Sequence, residues 1–175
     1  KYIWAIGCSK NSKLDAKYLH EDFCDDSIIK VNLENGKILS EISITQIMID
    51  AGIHNHLFIG RNHHIRAPDP LHINDIEEIN SDFAYSEKKN LFLSLGHTNM
   101  ILLINPKTKK ILWKLHDKLF HQHDVDIINS EEIAIFNNNR IFASQDQVYK
   151  NNEIMVYNFT KDSLSSPYEE ILTEL

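Results

Sequence analysis

Apolar residues in this chain come in short runs bounded by turn chemistry, and one of those boundaries is an Asn-Gly pair. Glu34-Asn35-Gly36 lies between Ser27–Leu33 (SIIKVNL) and Lys37–Ile44 (KILSEISI). Asn and Gly tolerate positive φ, so the pair predicts a hairpin between two strands. The stretches Asn74–Asn80, Leu91–Leu95, Met100–Asn105 and Lys110–Leu115 read as four consecutive strands. Polar turns at Ser86–Asn90 and Pro106–Lys109 separate the later ones, which gives a four-stranded antiparallel meander. Ile133–Phe136 and Glu153–Phe159 repeat the strand pattern, and Tyr2–Ile6 opens the chain in the same way. Thr45–Ala51 reads as a short helix capped by Thr45 and ended by Gly52. His54–Pro70 has no clean period.

Two echoes run through this pattern. Ile29-Lys30-Val31-Asn32, a turn and Lys37-Ile38-Leu39 match Leu102-Leu103-Ile104-Asn105, a turn and Lys110-Ile111-Leu112. His72-Ile73-Asn74-Asp75-Ile76 matches His123-Asp124-Val125-Asp126-Ile127. A meander of roughly forty residues that recurs is the size of one propeller blade. The expected fold is therefore all-β, a β-propeller of four-stranded antiparallel blades. The expected limits are an outer hairpin at 27–44, an excursion at 45–71, a full blade at 72–116 and the next blade at 123–160. A closed propeller takes about four to eight blades, so the chain is expected to hold part of one. A small antiparallel sandwich is the competing architecture, and it would require no repeat.

Composition excludes little. A net charge of -7 with no basic tract argues against a nucleic-acid partner. No apolar run reaches the length of a membrane span. No signal peptide is visible, and the opening Lys1 in place of Met leads us to expect a mature form or an excised fragment. Cys8 and Cys24, the only cysteines, are either two separate buried thiols or one disulfide. A bridge would close a loop of about fifteen residues, worth about 3 kcal/mol.

The segment Asp69-Pro70-Leu71-His72-Ile73-Asn74-Asp75-Ile76-Glu77 resembles a motif of the bacterial arylsulfotransferase family. Leu91–Leu95, the hairpin ending in Lys110-Ile111-Leu112-Trp113, His121-Gln122-His123-Asp124-Val125-Asp126 and Ile135-Phe136-Asn137-Asn138 follow in the family's order. The resemblance implies a six-bladed propeller that moves a sulfuryl group from a phenolic sulfate ester to another phenol. It implies no nucleotide or other cofactor, small aromatic sulfates or phenols as ligands, and a periplasmic or secreted location. His123 matches the histidine that carries the sulfuryl group, and His72 matches a helper histidine in a His-x-Asn motif. The family pattern places an arginine after the strand serine, whereas this chain reads Ser94-Leu95-Gly96-His97. Gly96 stands in the arginine's place.

Sulfuryl transfer develops charge on equatorial oxygens, so fixed cations stabilise it. Protonated His97, or one of Arg61, Arg66 and Arg140, can supply the charge that Gly96 lacks. His97, Asn74 and Asn138 are the expected substrate-binding residues. A nucleophilic His123 has to be neutral, with its second nitrogen oriented by a partner, and Asp124 and Asp126 are the candidates. Each residue also has a plainer reading. Histidines that begin strands can satisfy backbone groups at a rim. Asn137–Asn139 can be turn formers, and Trp113 can be packing. His54 with His56, and His63 with His64, are weak metal-ligand pairs, and no metal site is expected. Two functions follow, a sulfuryl-transfer enzyme or a non-catalytic propeller that binds a ligand or partner at the same rim. All the site residues should open on one rim, in a cavity that Gly96 leaves wider.

Overall fold

The computed structural model describes residues 1–9, 23–61, 69–116, 118–139 and 151–169. They form an all-β structure of three small antiparallel sheets. The first contains β1 (Tyr2–Ser9), β2 (Asp25–Asn32) and β3 (Ile38–Ser43). The second contains β4 (Ile73–Glu78), β5 (Leu91–Leu95), β6 (Met100–Asn105) and β7 (Lys110–Leu115). The third contains β8 (His123–Ile127), β9 (Glu132–Asn137), β10 (Glu153–Asn158) and β11 (Ser163–Ser165). Every sheet is a meander in which chain neighbours pair. A short helix, α1 (Ile44–Asp50), follows β3.

Burial explains why the middle sheet reads as nearly continuous apolar runs. All of β5 and all but the last residue of β6 are buried, because both faces are covered. The strand period of two divides these side chains between two cores. Leu91, Leu93, Leu95, Met100, Leu102 and Ile104 join Ile28, Ile42 and α1 on the first-sheet side. Phe92, Ile101 and Leu103 join Ile133, Ile135 and Tyr157 on the third-sheet side. In β7 burial alternates, since an outer strand is covered on one face only. Its Trp113 ring centroid lies 4.8 Å from those of Tyr157 and Phe159, in the third sheet and just beyond it.

The last hairpin of each sheet is built alike. Asn32 Oδ1 accepts from Glu34 N, Asn105 Oδ1 from Lys107 N and Thr108 N, and Asn158 Oδ1 from Lys161 N. Four residues beyond each asparagine the backbone turns left-handed, at Gly36 (φ 68°), Lys109 (φ 56°) and Asp162 (φ 47°). Of the Asn35-Gly36 pair only Gly36 takes positive φ. The turn is therefore longer than a two-residue hairpin loop, closed by Gly36 N to Asn32 O at 2.9 Å.

Two local expectations change. Ser43 caps α1 in place of Thr45: its side chain accepts from Gln46 N at 2.9 Å, whereas Thr45 is fully buried. Gly52 follows the helix at φ 74°, as a C-terminal glycine should. Between β5 and β6, Gly96–Thr98 makes a single 3-10 turn where a plain loop was expected, and Leu95↔Met100 stays paired across it. The excursion holds α1 and a 3-10 segment at His54–Arg61. His63, His64, Arg66 and Arg140 lie outside the described residues. Cys8 and Cys24 are joined as a disulfide, with Cα atoms 5.3 Å apart, which ties the end of β1 to the start of β2. Among the described residues no helix is long and apolar enough to cross a membrane.

Candidate functional site

The start of β4, the start of β8 and the β5–β6 turn meet at one end of the sheets, and four imidazoles meet with them. The His72 and His97 rings stack at 4.4 Å between centroids, and those of His121 and His123 stack at 5.6 Å. The two stacks stand edge to face. His72 lies 6.2 Å from His123 and 5.9 Å from His121, while His97 lies 5.7 Å from His121.

Backbone geometry makes this possible. His72 and His121 both adopt left-handed backbone, at φ 53° and 50°. Each lies four residues before the first strand's central apolar residue: Ile76 pairs Leu93, and Val125 pairs Ile135. The echo therefore aligns His72 with His121, and not with His123 as the residue pattern predicts. His123 stands where Asn74 does in the preceding sheet. A register shift between Ile73 and Asp75, and another between His123 and Val125, hides this offset in the sequence.

Asp69 is the hub of the cluster, and the sequence analysis gave it no role. Its Oδ1 accepts from His72 N at 2.9 Å, and its Oδ2 meets His72 Nδ1 at 2.6 Å. Its backbone carbonyl meets His97 Nδ1 at 2.8 Å. The hydrogen bond to Asp69 raises the His72 pKa above the usual histidine value, against the effect of burial. Burial lowers the His97 and His123 pKa values, and the charge of His72 lowers both further. Burial pushes Asp69 up, but the hydrogen bond and charge of His72 outweigh it and hold the carboxyl low. Asp26, from β2, accepts from Leu71 N at 3.0 Å. Its own carboxyl is pushed up to about 8, first by burial and then by the charge of Asp69.

The expected orienting pair does not act as predicted. Asp124 and Asp126 are exposed, and among the described residues neither hydrogen-bonds His123. Asp124 turns left-handed (φ 62°), and Asp75, not Asp124, caps the strand by accepting from Val125 N at 3.1 Å. Asn138 is close but already committed, donating to the His121 carbonyl at 2.7 Å. Asn74 donates to the Gln122 carbonyl at 2.9 Å, and its Oδ1 is buried with no hydrogen-bond partner among the described residues. Gln122, fully buried, anchors the β8 entry by donating to Ser94 Oγ and Met100 O.

Gly96 sits close against the side chains of the cluster. A Cβ built there would sit 2.7 Å from Asn74 Nδ2, 3.3 Å from His72 Cδ2 and 3.4 Å from His121 Nδ1. Side chains of the cluster thus crowd the position that an arginine Cβ would take. Donor atoms of Asp69, His72 and His97 lie within 4.8 Å of one another, a set able to hold a metal ion that the sequence did not reveal. Both Nδ1 atoms are already hydrogen-bonded to Asp69. His54 and His56 lie in the 3-10 segment, which contacts the Gly96–Thr98 turn, and His56 faces His116 at 5.7 Å. A hollow of about 400 Å³ beside Phe83, Lys88 and Ser130 lies at the other end of β4 and β5 and contains no imidazole.

Fold and site together define an all-β protein of successive antiparallel meanders with a histidine–carboxylate cluster where two first strands begin. The chain belongs to the arylsulfotransferase family, whose model, described as arylsulfotransferase (ASST), matches residues 11–174. No curated protein matches the chain.

Proposed function

We propose that the histidine cluster is a sulfuryl-transfer site in an exported β-propeller, with the three sheets as consecutive blades. The repeated asparagine turn closing each sheet supports the blade reading, and the Cys8–Cys24 bridge supports an oxidising, periplasmic or secreted location. The reading of the site rests on one observation. His72 and His123 lie 6.2 Å apart with their pKa values pushed in opposite directions, up for His72 and down for His123. Such a split assigns acid and base roles.

In this mechanism neutral His123 attacks the sulfur of a phenolic sulfate ester. An N–S bond forms, the ester S–O bond breaks and the phenolate leaves. Protonated His72, held by Asp69, faces the sulfuryl oxygens together with His97, and the ion pair keeps that charge in place. An acceptor phenol then reverses the step: its oxygen attacks sulfur, the N–S bond breaks and the phenol proton is released. Asp124 contributes negative charge beside His123.

A non-catalytic propeller that binds a ligand at this rim is the second reading. Gly96 favours it, because it stands where the family pattern has an arginine, and Asn74 Nδ2 crowds the position of a Cβ there. A sulfuryl-transfer assay with a chromogenic phenyl sulfate and a phenol acceptor separates the two. We expect transfer in the wild type and its loss in His123→Ala, by about a thousandfold or more. Sulfate-ester binding without any transfer would establish the second reading instead.

A further inference from the structure

We propose that Asp26 is a positioning residue for His72, acting from a different sheet through the Leu71 backbone and the Asp69 carboxyl. For its activity arm this inference rests on the sulfuryl-transfer reading.

His72 needs such a hold. A non-glycine residue at φ 53° is strained, and it persists only where its neighbours over-determine it. Three contacts do so. Asp69 takes the His72 amide and ring, Gly96 N donates to the His72 carbonyl at 3.0 Å, and Asp26 Oδ2 accepts from Leu71 N across 45 residues of chain. Of the three, only Asp26 comes from the first sheet. It is 4% exposed, and the charge of Asp69 acts on its carboxyl.

Two neighbouring buried carboxyls do not both stay ionised. Asp69 is held low by His72, while burial, Asp69 and then Asp25 raise Asp26 to about 8. The shared proton therefore resides on Asp26 at neutral pH. A protonated Asp26 accepts from Leu71 N through one oxygen and donates to Asp69 through the other. The resulting chain runs carboxylic acid, carboxylate, imidazolium. It fixes the Asp69 carboxylate in the plane where it meets His72 Nδ1, and so fixes where the opposite ring nitrogen points. Asp26 touches no reacting atom in this scheme.

Asparagine has the shape of a protonated aspartate and the same donor and acceptor, so Asp26→Asn tests the idea against Asp26→Ala. Two readouts are needed: the sulfuryl-transfer rate, and the His72 Nδ1–H proton resonance, which the 2.6 Å bond to Asp69 shields from exchange. Asp26→Asn should keep the resonance and hold kcat within about threefold of wild type. Asp26→Ala should lose the resonance and lower kcat by about tenfold or more, with KM less affected. Wild-type behaviour of Asp26→Ala in both readouts, or loss of the resonance in Asp26→Asn, would overturn the proposal. If Asp26→Ala does not fold, the Asn variant decides alone, since retention supports the proposal and loss refutes it. If wild type transfers no sulfuryl group, the functional reading falls, and the resonance still decides the role of Asp26.

Discussion

Asp69 grips His72 at both ends, taking the backbone amide on Oδ1 at 2.9 Å and the ring Nδ1 on Oδ2 at 2.6 Å. One carboxylate thus sets the conformation of a strained residue and the charge of its imidazole together. It is the link between the fold of the β4 entry and the chemistry assigned to it.

The pH dependence follows from that link. The folded His72 pKa is raised, so its ion pair contributes stability that is fully present below the unfolded histidine value, near 6.5. That contribution is lost as pH rises through the folded value. His97 and His123 are lowered, so acidification below about 6.5 destabilises the fold as these half-buried rings are forced to charge. Activity that needs protonated His72 and neutral His123 should be bell-shaped around the interval between them. Asp69→Asn removes the raising partner, so the alkaline limb should move to lower pH. A profile of kcat/KM against pH checks this, and an unmoved alkaline limb would show that His72 does not set it.

Gly96 should resist substitution. In Gly96→Ala the new Cβ meets Asn74 Nδ2 at 2.7 Å, and Asn74 is held by the Gln122 carbonyl. We expect a loss of about 1–3 kcal/mol, typical of overpacking. Gly96→Arg should cost at least as much and should not raise the transfer rate by itself. Asn74→Ala should relieve the clash, so a double-mutant cycle on urea denaturation should show coupling between the two positions. Additive losses would mean that the cluster yields elsewhere.

The Cys8–Cys24 bridge closes its loop at the end of β1, where Cys8 pairs in register with Asp26. Removing it with Cys8→Ser and Cys24→Ser should cost about 3 kcal/mol. The loss should also reach the site, because Asp26 leads to Asp69 and His72. Denaturation with and without reductant, read beside the His72 resonance, checks both expectations. A fall in stability with an unchanged resonance would confine the bridge to the first sheet.

Strand periodicity and turn chemistry are local, and the sequence alone was enough to place Leu91–Leu95, Met100–Asn105 and Lys110–Leu115 as strands with those bounds. Gly36 and Gly52 were legible for the same reason, since each marks a left-handed backbone position. His72 and His123 could be singled out from their motifs, and Asp69 stood in the same quoted segment, three residues before His72. Its role was not legible, because the spacing shows that the two can meet but not that the carboxylate will turn inward. Register shifts of one residue in β4 and β8 concealed the equivalence of His72 and His121, and β11 was too short to read.

What the sequence determined by itself was the family, the antiparallel meanders and the pair of histidines, all of which rest on near neighbours along the chain. Only the tertiary structure decided who touches them. Asp26 reaches Leu71 from another sheet, Asn74 fills the space beside Gly96, and Asn138 is taken by a backbone carbonyl. Those partners depend on how three sheets pack face to face, and a side chain's neighbours across a packed face leave no mark in the residues on either side of it.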